Sequence, residues 1–135
     1  MTRFKLYAAC LMLMAAVPLT LNAAPAPAQD DFFIHLHDQR AMANVAMSAV
    51  HDGAVEISIQ LETVEELPLK AESVSVTLGN PDKGVAPVTT QAQRTADDQW
   101  SVKMAASEAG RWNLALGITL TPANTVNIAS PILIY

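Results

Sequence analysis

The chain has 135 residues, of which 51% are hydrophobic and 16% charged, with a formal net charge of −5 and a single cysteine, Cys10. That length suits one core, at about 100–200 residues per domain, and the apolar fraction excludes a disordered chain. Thirteen acidic residues against eight basic ones, with no Lys/Arg patch, exclude the counterion-releasing surface that a nucleic-acid partner requires.

The chain opens as a secretory signal peptide. Arg3 and Lys5 precede the apolar run Leu6 to Leu21, and small residues and prolines follow in NAAPAPAQ. A membrane span needs about 20 apolar residues, and this run is shorter and contains Pro18. Cleavage is expected after Ala23 or Ala28, so that residues 1–28 form the signal peptide and 29–135 a single domain. The processed protein is expected to be periplasmic or otherwise exported, without stable membrane insertion. Removal of Arg3, Lys5 and Cys10 leaves six basic residues against 13 acidic, a net charge of −7 and no cysteine. An exported chain without a disulfide must be held by packing or by a metal.

From there the sequence reads as strands. Phe32–His37 and Met42–Val50 are expected first, followed by AVEISIQLE, where Val55, Ile57, Ile59 and Leu61 alternate with Glu56, Ser58, Gln60 and Glu62. The same period of two recurs at Val74, Val76 and Leu78, at Trp100, Val102 and Met104, and at Trp112, Leu114, Leu116 and Ile118. Weaker strands are expected over Pro87–Arg94 and Thr125–Tyr135. Turn signals separate them at His51-Asp52-Gly53, Gly79 to Gly84, Ala96-Asp97-Asp98, Gly110-Arg111 and Thr121 to Asn124. Seven to eight short strands with no helical period predict an all-β, immunoglobulin-like antiparallel sandwich. Trp100 and Trp112, on different strands, are expected to fill its centre.

Catalytic constellations are scarce. There is no GxSxG, HExxH, P-loop or GxGxxG, and the carboxylates are dispersed over strand faces and turns, so no enzyme is expected. The informative segment is FFIHLHDQRAMANVAM, Phe32 to Met47. Residues two apart on a strand share a face, which sets His35 and His37 side by side. Paired imidazoles are the start of a metal site, and thioethers at Met42 and Met47 add ligands suited to Cu(I), whereas imidazole with carboxylate or water suits Cu(II) or zinc. His51 and Asp52 would join the set if the chain folds back at the hairpin. Against this, His-x-His arises by chance and methionines on strands often fill cores.

These residues carry a resemblance. HLHDQRAMANVAM from His35, then LGNP, KGVAP, DDQWSV, GRWNLAL and a final ASPILI ending at Ile134 resemble the extracytoplasmic C-terminal domain of CopD/YcnJ-type copper transport proteins. That domain, a CopC-like or YtkA-like sandwich, commonly reads HIH, AMA, LSNP, GIEP, DGTW, GRW and a terminal API. The resemblance implies copper contact at His35, His37 and Met42; Met47 is a candidate from local chemistry alone. It also implies a role in copper handling or delivery, with a CopD-like membrane copper transporter as partner. The departures are Asp97-Asp98-Gln99 before Trp100, ELPLKAESV over Glu66 to Val74, and a mature start without histidine, so the copper site built on a free N-terminal histidine is not expected. A reading from another class is a metal-free interaction module that docks on a membrane or periplasmic partner through its edge strands.

Overall fold

Alternating apolar residues need a second apolar face to bury against, and this chain supplies one by folding into two sheets. The computed structural model describes residues 31–135; the expected signal peptide and both cleavage positions lie outside the described residues. The strands are β1 Phe32–His37, β2 Met42–Met47, β3 Ala54–Glu62, β4 Ser73–Asn80, β5 Val85–Gln91, β6 Gln93–Ala96, β7 Gln99–Ala105, β8 Gly110–Thr121 and β9 Asn124–Ile134. A 3₁₀ turn, Pro81–Lys83, follows β4, capped by the Asn80 side chain accepting from the Lys83 N–H at 3.2 Å.

One sheet has the order β1-β2-β3-β7-β6 and the other β5-β4-β8-β9, all pairs antiparallel. With β1 set aside, β2-β3-β7-β6 facing β5-β4-β8-β9 is the ABED-against-CFG order of an immunoglobulin-like sandwich with one extra strand. The fold class read from the alternation is therefore the observed one. β1 is an addition, joined by a hairpin outside β2.

The inward residues form one core. Val55, Ile57, Ile59 and Leu61 of β3 meet Val74, Val76 and Leu78 of β4 and Leu114, Leu116 and Ile118 of β8. Trp112 is 1% exposed and donates its indole N–H to the Glu108 carbonyl at 3.0 Å, while Trp100 is 4% exposed. The Arg94 guanidinium lies 4.8 Å from the Trp100 ring centroid and donates to the carbonyls of Ala71 and Glu72. This cation–π contact closes the core at the short edge strand β6.

Three details differ from the sequence expectation. The single strand expected over Pro87–Arg94 is two: β5 belongs to one sheet and β6 to the other, because the chain crosses between the layers at Ala92. Period-2 alternation does not register a change of sheet, since both halves remain extended. Gly110-Arg111 is the start of β8 rather than a turn, with Gly110 at φ +126 and paired with Ile134. Finally β2 stops at Met47, short of Val50, whose N–H donates instead to the Tyr135 carbonyl at 2.8 Å.

Candidate metal site on the β1–β2 hairpin

The register of β1 on β2 decides which side chains share a face. The Asp38 N–H donates to the Ala41 carbonyl at 2.9 Å, making 38/41 the bonded pair that closes the hairpin. Antiparallel alternation then makes His37 and Met42 a non-bonded pair, Leu36 and Ala43 a bonded pair, and His35 and Asn44 a non-bonded pair. Leu36, Ala43, Val45 and Met47 point into the core, and His35, His37, Met42 and Asn44 belong to the outer face.

His35 and His37 are both exposed, and their rings meet edge to face with centroids 4.3 Å apart. Met42 stands directly opposite His37 in a non-bonded pair, where side chains approach most closely. It is buried, at 6% exposure, yet lies outside the main core cluster, as its position on the outer face requires. Asn44 stands opposite His35 and accepts from His35 Nδ1 through Oδ1. An amide oxygen only accepts, so the ring proton sits on Nδ1 and the lone pair of Nε2 is free for a ligand.

Two expected members stand apart. Met47 is 1% exposed, opposite Phe32, within the core. Five positions from Met42 it falls on the other parity of the strand, so the sheet itself separates its sulfur from the imidazoles. His51, with Asp52, sits in the turn between β2 and β3, beyond the Phe32 end of β1 and away from the His37 end. The chain does fold back there, but at the wrong end of the hairpin. Among the described residues no group of three or more His, Cys, Asp or Glu side chains converges, so carboxylates do not complete the pair.

Sequence reasoning missed Asn44. No local signal gives it: the two-residue loop at Gln39-Arg40 places residue 44 across from residue 35, and nothing in the sequence marks where the hairpin turns. The structure also shows a groove of about 650 Å³ running from Phe33 and His35 across Asn44, Ser58 and Gln60 to Gln99. Phe33 stands 71% exposed at its rim.

The hairpin is held in place at both ends. Arg40 donates to the Asn124 side chain at 2.8 Å and the Thr125 carbonyl at 3.3 Å, reaching the other sheet at the start of β9. At the other end the Phe32 and Tyr135 rings lie 6.5 Å apart.

No family model and no curated protein matches the chain. A solved structure titled as the Br derivative of BhCBM56 is similar to it with a TM-score of 0.47 and 12% identity, over 73% of this chain and 98% of that one.

Proposed function

We propose that the protein is an exported copper-binding protein, acting in copper handling or delivery, that contacts the ion through His35, His37 and Met42. The observation that carries this reading is the shared outer face of the hairpin, with two exposed imidazoles 4.3 Å apart and a thioether directly across from one of them. Imidazole serves both copper oxidation states, and the thioether favours Cu(I). Neither histidine fills the core, so both can bind without unfolding. The resemblance of the HLH and AMA elements to CopD/YcnJ-type domains supports the same assignment and suggests a membrane copper transporter as the partner.

The test is competition of the mature protein against a calibrated chelator for Cu(I) and Cu(II), beside the His35→Ala/His37→Ala double variant. Copper is expected on the wild type and absent from the variant, with the melting temperature of the metal-free protein unchanged. Failure of the wild type to compete in either oxidation state would sink the proposal and favour a metal-free interaction module. No helix among the described residues is long and apolar enough to cross a membrane.

A further inference from the structure

Two imidazoles and a thioether fall short of the four ligands of a closed metal site. The shape of β1 shows where further ligands can come from. Each sheet has two edges, so four strands lie at an edge: β1, β6, β5 and β9. Three of these carry ordinary protection against pairing with another chain. β5 contains Pro87, β9 contains Pro131, and β6 has only four residues, one of them Arg94. β1 reads FFIHLH, with no proline, no charged carboxylate, Lys or Arg, and six residues in regular register.

The hairpin geometry fixes which backbone groups that edge offers. Leu36 and Ile34 turn their N–H and C=O toward β2, so those of Phe33, His35 and His37 point outward, and among the described residues no backbone hydrogen bond reaches them. The residues with free backbone groups are therefore the same ones whose side chains occupy the outer face.

We propose that a second copy of this chain pairs antiparallel along β1 about a two-fold axis at Leu36, so that one transition-metal ion is held by four imidazoles, His35 and His37 from each copy. The proposal rests on the copper-binding reading of the same histidines. A two-fold axis normal to the sheet keeps both outer faces on one side. In that register His35 of one copy is bonded opposite His37 of the other, with Cα atoms about 5.5 Å apart across the pair and about 6.7 Å apart along each strand, so the four histidines mark the corners of a near-square on one face. Two bonded pairs supply only a few backbone hydrogen bonds, each adding about 0.5–1.5 kcal/mol, so pairing needs the metal. All-imidazole ligation suits Cu(II) and Zn(II), leaving the Met42 thioether to a single chain carrying Cu(I).

The experiment is sedimentation velocity of the mature protein, metal-free and with Cu(II) or Zn(II), with bound metal measured on the same samples. His35→Ala and His37→Ala single variants run alongside. The expected result is a twofold rise in mass on metal addition, at one ion per two chains, lost in either variant. One ion per chain at monomer mass would overturn the shared site while leaving the copper reading intact. Absence of bound Cu(II) and Zn(II) would overturn the shared site, and the copper reading would then stand or fall on the Cu(I) competition. A dimer already formed without metal, or doubling that survives both substitutions, would overturn the four-imidazole bridge.

Discussion

His35 donates its Nδ1 proton to the side-chain oxygen of Asn44, its direct partner across the β1–β2 ladder. This contact favours the tautomer with the proton on Nδ1, which leaves Nε2 as the nitrogen that the proposed copper site would use.

Asn44 is therefore expected to matter although it binds no ion. Replacement of a residue that orients a metal-binding histidine lowers affinity by about 10–100-fold. Asn44→Ala should weaken copper binding within that range in a chelator competition and leave the melting temperature close to wild type. Asn44→Asp, which keeps an acceptor at the same place, should restore affinity. Equal affinities for wild type and both variants would show that the contact plays no part in binding.

The two methionines separate by face. Met42→Leu and Met47→Leu are near-isosteric swaps, each costing less than about 1.5 kcal/mol. Met42→Leu should weaken Cu(I) binding and leave Cu(II) binding unchanged, since only the thioether is lost from the outer face. Met47→Leu should alter neither, because Met47 faces the core. A loss of Cu(I) affinity in Met47→Leu, read by the same competition, would contradict this division.

Trp112 carries the fold. It is 1% exposed and bonded to the Glu108 carbonyl, so Trp112→Ala leaves a large cavity at the centre of the sandwich. The expected loss is about 3–5 kcal/mol against a total stability of about 5–15 kcal/mol, visible as a lower denaturant midpoint. Because the proposed copper face is the outer face of the other sheet, copper affinity measured below the unfolding transition should be retained.

Arg40 anchors the hairpin to the second sheet through Asn124 and Thr125. These are exposed hydrogen bonds, so Arg40→Ala should reduce global stability by no more than about 1.5 kcal/mol. Its local effect should be larger: amide exchange in β1 should quicken relative to β3 and β8, since β1 has a ladder partner on one side only. Unchanged exchange in β1 would show that the ladder to β2 alone holds it.

Gly117 illustrates a constraint that only packing imposes. A Cβ at that position would come within 2.5 Å of Ser75 Oγ on the neighbouring strand β4. The alternation of β8 passes through it without interruption, so the sequence reads as an ordinary strand position there. Across the sheet the hydroxyl of Ser75 occupies the space that the missing side chain leaves.

The sequence by itself determined the class of fold and its core. The period-2 runs at Val55 to Leu61, Val74 to Leu78, Trp100 to Met104 and Trp112 to Ile118 all became strands with those residues inside, because alternation is a local property and burial rewards it wherever the partner lies. It also set His35 and His37 on one face, for the same reason. What the sequence left open was every relation between strands: the change of sheet at Ala92, the pairing of His35 with Asn44, and which of Met42 and Met47 shares the face of the histidines. Those depend on where the hairpin turns and which strands become neighbours. Tertiary structure decided them, because a shift of register by one residue exchanges the two faces of a strand without changing its pattern.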